Sequence, residues 1–315
     1  MGRLSLGQQG LIWCLIFVVL DAAQAVYFGG ILQRLDGFLM GGLVFGLSSI
    51  GCILWTVFRR PQQLQVVFDN RPSVLGVNLS AAGGWMAYFI AIQVIEPAVA
   101  FTIFSGVIPL TTIVAKRMGF AEAQSSRNGV EALGNGVLTL GMLLLAAFTL
   151  LGWSGFVRGG IGTGLLGLVF SAIAGILIAM MLLYSKRLDL RGLEPVPQFG
   201  FRFPIYLVLT AIGYASGIDA KAAVPFTDLL YAVAIGMVVL AFPIYAVQKA
   251  VSLTTSLTIS SVAAIAPLIV FGLQVLEGRV DYSNSTSVGL AVYFMGAIIA
   301  AVGSAHAATR KKSLA

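Results

Sequence analysis

The sequence predicts an all-α integral membrane protein whose ten transmembrane helices form two inverted five-helix repeats around a central cavity. Three observations lead to this fold class: an apolar composition, ten apolar stretches of membrane-spanning length, and an internal repeat. The chain has 315 residues, of which 58% are hydrophobic and 10% are charged, and its mean hydropathy is +0.96. Because a soluble domain carries about 25% charged residues, this composition is typical of a protein in a lipid bilayer.

A helix needs about 20 apolar residues to cross the hydrocarbon core of a bilayer. Ten stretches approach this length: 11–33, 38–58, 74–95, 98–117, 129–151, 162–185, 200–217, 226–247, 253–275 and 286–307. Their short connections exclude a separate soluble domain. The first stretch also resembles a signal peptide with a cleavage site at Ala23–Ala25. Since the apolar run continues beyond that site, we expect an uncleaved first helix.

The basic residues predict the orientation of these spans. With a cytoplasmic N-terminus, fifteen of the nineteen Lys and Arg residues lie on the cytoplasmic side, and only Arg34, Arg158, Lys221 and Arg279 lie on the other. Cytoplasmic loops of membrane proteins carry an excess of Lys and Arg. We therefore expect a multi-pass protein of the cell inner membrane with both termini in the cytoplasm.

An internal repeat appears when the sequence is shifted by 155 residues, which places YFIAIQ (88–93) on PIYAVQ (243–248). The same register pairs Gln93 with Gln248 and Ser105 with Ser260. It divides the chain into residues 1–155 and 156–315, with five spans each. An odd number of spans inverts the second half relative to the first, and inverted repeats build many secondary transporters.

Glu96 and Pro97 interrupt two apolar stretches and fall in a hairpin turn of this repeat. Pro97 suits the first turn of the following helix, and a carboxylate is favourable at a helix N-terminus. We therefore expect Glu96 to be wet or interfacial, the alternative being a direct contact with substrate.

Near the end of each half, a helix that contains a proline is followed by an acidic residue and then by a last helix rich in glycine. The segments are SGVIPLTTIVAKRMGFAE, with Pro109 and Glu122, and AAIAPLIVFGLQVLEGR, with Pro267 and Glu277. This pattern, together with the sixth span and Arg202 after it, resembles the EamA-type ten-helix members of the drug/metabolite transporter superfamily. The resemblance implies proton-coupled export of small polar metabolites, such as amino acids, by alternating access. An uptake permease or facilitated exchanger for a small nutrient is the alternative, and an integral membrane enzyme is a distant one.

Asp21 is the one acidic residue predicted near the centre of a span, and Gln24 lies on the same face one turn later. A charged group in a membrane helix is costly and usually functional. We expect Asp21 to exchange a proton or to pair with a substrate ammonium group. The alternative is a hydrogen-bonded Asp that locks the first helix to a neighbour.

Six further side chains complete the predicted set of substrate-binding or proton-coupling residues. Trp85 and Tyr88 would line the cavity or, alternatively, sit at the lipid boundary. The repeat-related amides and hydroxyls would contact substrate or, alternatively, cap turns and join helices. The full set is Asp21, Gln24, Trp85, Tyr88, Gln93, Ser105, Gln248 and Ser260.

No Walker A pattern, HExxH motif or pair of Asp-rich motifs occurs in the sequence. We therefore expect no enzymatic activity. One His and two Cys argue against a multi-ligand metal site, and no cofactor is expected. The expected partners are a small-molecule substrate and the lipid bilayer, with a homodimer left open. Basic residues lie between apolar segments, which argues against nucleic-acid binding.

Overall fold

The computed structural model describes residues 6–123, 128–253, 262–263 and 265–313. Two π-helical segments, π1 (Gln24–Phe28) and π2 (Met237–Ala241), interrupt α-helices there. The α-helices are α1 (Leu6–Ala23), α2 (Gly29–Arg34), α3 (Gly37–Arg59), α4 (Gln62–Asp69), α5 (Arg71–Val94), α6 (Pro97–Arg117), α7 (Gly129–Leu150), α8 (Ile161–Leu190), α9 (Pro195–Gly200), α10 (Pro204–Ser216), α11 (Phe226–Gly236), α12 (Phe242–Leu253), α13 (Ala266–Glu277) and α14 (Asn284–Ser313).

Within the described ranges, nine helical segments are long and apolar enough to cross a membrane, as expected of a multi-pass membrane protein. They are Gln8–Arg34, Gly37–Arg59, Arg71–Val94, Pro97–Arg117, Gly129–Leu150, Ile161–Leu190, Pro195–Ser216, Phe226–Ala250 and Asn284–Ser304. The remaining predicted span, 253–275, overlaps α13, an apolar helix of 12 residues. Residues 254–261 and 264 of that span lie outside the described ranges.

The buried core lies where helices from the first 155 residues pack against helices from the rest of the chain. The helix α8 runs along both α5 and α6, α12 runs along α1, and α3 packs against α9 and α10. Large apolar side chains such as Leu54, Leu143 and Leu165 remain exposed on the outward helix faces. Such faces are expected where a helix meets lipid rather than water.

The helices α7 and α14 approach each other along a seam of glycines. Gly134 and Gly141 on α7, and Gly296 and Gly303 on α14, are each one heptad apart. A Cβ atom added at any of them would overlap backbone atoms of the facing helix. Small residues at such interfaces allow the close approach by which membrane helices associate.

Gly141→Ala is expected to destabilise the protein by about 1–3 kcal/mol, the usual cost of inserting atoms into a close-packed contact. Its new methyl group would overlap the Tyr293 backbone. Gly136→Ala is the matched control, since it lies on the same helix with no other atom near the added Cβ. Thermal unfolding of both variants in detergent measures the difference. Equal melting temperatures of the two variants would contradict close packing of α7 against α14 at Gly141.

Polar contacts join the connections at both ends of the helix bundle. We call the end that links α3 to α5, α6 to α7 and α8 to α9 the basic end, and the other the opposite end. At the basic end, Arg187 donates to both carboxylate oxygens of Glu122, at 2.6 and 2.9 Å, and Arg191 donates to Asn70 at 2.8 Å. Hydrogen bonding from Arg187 lowers the pKa of the Glu122 carboxyl.

Candidate functional site

The first span changes from α- to π-helix directly beside Asp21. Asp21 is partly buried at the midpoint of the segment Gln8–Arg34, and Gln24 is the first residue of π1. The segments π1 and π2 contact each other, so both helical irregularities meet in the interior. Single-turn π-segments occur frequently at functional sites because they re-aim side chains and disturb the regular backbone hydrogen bonds.

Aromatic side chains fill the interior beside this irregular turn. The central aromatic cluster consists of Phe28, Phe45, Trp85, Tyr88, Phe89, Phe104, Phe203 and Tyr206, which come from π1, α3, α5, α6, α10 and the turn before it. The ring of Phe45 stacks on Phe203 at 4.2 Å and lies 5.3 Å from Trp85. Trp85 and Tyr88 are both buried. They therefore lie in the interior rather than in a belt at the lipid boundary.

Several polar atoms in this region are buried without a hydrogen-bond partner among the described residues. They are both amide atoms of Gln24, Nε1 of Trp85, and the hydroxyls of Tyr88 and Tyr206. Gln24 is only 1% exposed. The Asp21 carboxyl is close enough to the Tyr88 hydroxyl to interact with it electrostatically. Because about 90% or more of buried polar groups in proteins are hydrogen-bonded, such atoms have hydrogen-bonding capacity that water or a bound polar molecule can fill.

Tyr206 was not among the residues proposed from the sequence. It comes from α10 and reaches the first half of the chain beside Gly41 of α3, where an added Cβ atom would overlap its hydroxyl. The glycine pair at residues 41–42 was the only sequence signal of this close approach. Only the packing of α3 against α10 shows which side chain uses that space.

Three other predicted site residues, Gln93, Ser105 and Gln248, lie outside this group of unpartnered atoms. Gln93, near the opposite end, donates to the Phe89 carbonyl at 2.9 Å and accepts from Lys221 at 3.4 Å. Ser105 pairs with the hydroxyl of Tyr293 at 3.2 Å, which joins α6 to α14. Ser260 lies outside the described residues.

Gln248 lies among polar groups near the basic end. Its amide is 2.8 Å from Oε1 of Gln198. In the alternative orientation of the amide, its oxygen accepts from Nη2 of Arg202 and its nitrogen donates to the Pro195 carbonyl at 3.0 Å. Gln248 is thus a neighbour of a buried arginine. The sequence alone relates that arginine only to the orientation of the spans and to the family resemblance.

The expectation that Glu96 is wet or interfacial was wrong. Glu96 does lie between two helices, but it is 0% exposed. Its carboxylate accepts from the Gly155 N–H at 2.8 Å, from the Thr286 hydroxyl at 2.7 Å and from the amide of Gln274. Residues from the second half cover it, which the local sequence does not reveal. Burial raises the pKa of the Glu96 carboxyl, and the three hydrogen bonds partly oppose this shift.

The described residues contain no group of three or more His, Cys, Asp or Glu side chains that could hold a metal ion. The polar groups in the interior include the carboxylates of Asp21 and Glu96, the guanidinium of Arg202, amides, hydroxyls and an indole N–H. This set is suited to binding a small polar molecule through hydrogen bonds and charge pairing.

No protein-family model matches the chain, and no curated protein matches it. Among solved structures, a chain described as "Crystal structure of protein" is similar, with a TM-score of 0.63 and 17% sequence identity. The match covers 93% of this chain and 96% of that chain. The two proteins therefore share a fold over nearly their whole lengths.

Proposed function

We propose that the chain is a secondary active transporter that exports small polar metabolites, such as amino acids or related compounds, in exchange for protons. In this proposal, residues 1–155 and 156–315 are inverted five-helix halves that form ten transmembrane helices. The protein lies in the inner membrane of the cell, and its basic end faces the cytoplasm. Substrate binds between the halves and is released by alternating access.

The observation that carries the proposal is the group of buried polar atoms that have no hydrogen-bond partner in the described part of the chain. Gln24, Trp85 and Tyr88 belong to the first half and Tyr206 to the second, so the two halves supply the group together. Secondary transporters with repeats hold their substrate at such an interface near the bilayer midplane. The nearby Asp21 carboxylate adds a group that can change its charge.

The contacts at the two ends of the bundle fit alternating access. At the opposite end, Glu96 of the first half is joined to Gln274 and Thr286 of the second. At the basic end, Glu122 is joined to Arg187 across the same division. Movement of one half against the other would break one set of contacts while the other set remains.

Reconstitution into liposomes tests the function. Vesicles with the purified protein, an amino-acid mixture inside and a proton gradient across the membrane are expected to release amino acids unaltered and faster than protein-free vesicles. Release without dependence on the gradient would favour the facilitated exchanger, and entry against the concentration gradient would favour uptake. Chemical conversion of a solute, with no flux, would refute a transporter.

Tyr206→Phe is expected to weaken substrate binding by up to about tenfold, because one neutral hydrogen bond contributes about 0.5–1.5 kcal/mol. Since the hydroxyl has no partner among the described residues, its removal should leave the melting temperature of the ligand-free protein unchanged or higher. Tyr231→Phe is the matched control, as this tyrosine is exposed on α11. Half-saturating concentrations of transported solutes measure the effect. A lower melting temperature with unchanged binding would assign Tyr206 to packing alone.

A further inference from the structure

Arg202 is a buried cation in the turn between α9 and α10. Only 2% of the surface of this residue is exposed. Arginine is almost never fully buried in proteins unless it is paired. The surroundings of this guanidinium therefore indicate what it binds.

No carboxylate of the described residues pairs with Arg202. The sequence has twelve acidic residues, and all of them lie within the described ranges. The ion pairs among described residues involve other cations, namely Arg60, Lys186, Arg187, Lys221 and Arg279. Arg202 is thus a buried positive charge without a negative partner in the part of the chain that the structure describes.

The polar neighbours of Arg202 are neutral and leave part of its guanidinium unused. Nη2 lies 3.3 Å from the Ser185 hydroxyl and faces the Gln248 amide, while Nε has no hydrogen-bond partner among the described residues. The Nε and Nη2 groups form the edge of a guanidinium that binds both oxygens of a carboxylate at once. On that edge, Nη2 has only neutral acceptors, and Nε has no acceptor among the described residues.

We propose that Arg202, with Gln248 and Ser185 beside it, binds the carboxylate of a small organic substrate. An unpaired charge buried in a protein is strongly unfavourable, and charged residues at membrane depth usually mark a substrate or ion pathway. An anionic ligand would supply the missing negative charge. The planar two-oxygen geometry of a carboxylate matches the Nε–Nη2 edge better than a single neutral acceptor does.

The site adjoins the central aromatic cluster. Phe203, the next residue in the chain, stacks on Phe45, which in turn contacts Trp85. The apolar part of a substrate anchored at Arg202 would therefore find aromatic surface directly beside it. That the bound carboxylate belongs to a transported substrate rests on the proposed function. Binding itself is measurable without transport.

Binding to the full-length protein in detergent tests the proposal. The probes are alanine, leucine and phenylalanine, each compared with the amine that lacks the carboxylate, namely ethylamine, isopentylamine and phenethylamine. Inorganic phosphate is a separate probe for oxyanions in general. Ligand-induced stabilisation against thermal unfolding is the readout. We expect at least one amino acid to bind more tightly than its amine, by about tenfold or more, since hydrogen bonds to charged groups are among the strongest in proteins.

The variants are Arg202→Gln, which removes the charge, and Arg202→Lys, which keeps the charge but loses the two-nitrogen edge. Arg117→Gln is the matched control, because that arginine is exposed at the end of α6. We expect Arg202→Gln to abolish the preference for the carboxylate and Arg202→Lys to retain part of it. Ligand-free Arg202→Gln should melt at the same temperature as the wild type or higher, because removal of an unpaired buried charge relieves its desolvation cost.

Any of three binding results would overturn the proposal: equal binding of each amino acid and its amine, binding of phosphate alone, or an unchanged preference in Arg202→Gln. A lower melting temperature of ligand-free Arg202→Gln would also overturn it, because it would assign the guanidinium to structure. Flux in liposomes separates this inference from the proposed function. Transport of amines that does not depend on Arg202 would support the transport function but not the carboxylate site. Arg202-dependent binding without flux would support the carboxylate site but not transport.

Discussion

Asp21→Asn is expected to reduce transport to the level of protein-free liposomes, or to remove its dependence on pH, while the protein still folds. Asp21 lies at the midpoint of the first span, next to the π-helical turn that begins with Gln24. Asparagine has nearly the same shape, so packing is preserved, but it can neither exchange a proton nor pair with an ammonium group. The loss would therefore report the charge of Asp21 and not its volume.

The measurement is solute flux in liposomes over a range of pH, with protein insertion and melting temperature recorded for each variant. Asp228→Asn is the matched control, since Asp228 is an exposed carboxylate in the first turn of α11. Its flux and pH profile should equal those of the wild type. If Asp21→Asn also transports at the wild-type rate with an unchanged profile, the carboxylate is structural.

Glu96→Ala is expected to destabilise the protein by about 3 kcal/mol or more, at about 1 kcal/mol or more for each of three donors. Three buried donors, on Gly155, Gln274 and Thr286, would lose their acceptor, and a buried donor without a partner costs about 1–3 kcal/mol. Gln274 also accepts from the Ala98 N–H at 3.0 Å, so its amide cannot turn without losing that bond. Thermal unfolding in detergent measures the effect.

Glu194→Ala is the control for this variant. Its carboxylate lies 3.8 Å from Arg60 with side chains that are 40% and 50% exposed, and such surface pairs contribute about 0–1 kcal/mol. A loss of stability in Glu96→Ala no greater than in Glu194→Ala would show that the buried hydrogen bonds do not hold the opposite end together.

The Glu96 carboxyl should also make stability depend on pH. Burial raises its pKa in the folded protein, so the folded state binds the proton more tightly than the unfolded state. The stability from this difference is fully present below the unfolded pKa and is lost as pH rises through the folded pKa. The gap in melting temperature between wild type and Glu96→Ala should therefore widen as pH falls from neutrality. A gap that narrows would contradict the raised pKa.

The sequence alone determined the elements whose signal is local. The apolar length and hydrogen-bonding needs of each segment identify membrane helices, and nine of the ten predicted spans correspond to long apolar helices in the described ranges. Asp21, Gln24, Trp85 and Tyr88 also stand out as candidates from the sequence, because a polar or aromatic residue in an apolar helix is visible without any knowledge of its neighbours.

Only the tertiary structure decided which polar groups are satisfied and which are not. Glu96 is buried because Gln274 and Thr286, 178 and 190 residues away in the chain, close over it. Arg202 looked like one more basic residue at a helix end, but packing against Ser185 and Gln248 takes its charge out of water. Burial and hydrogen bonding depend on contacts between distant segments, and the local pattern of polar and apolar residues does not contain them.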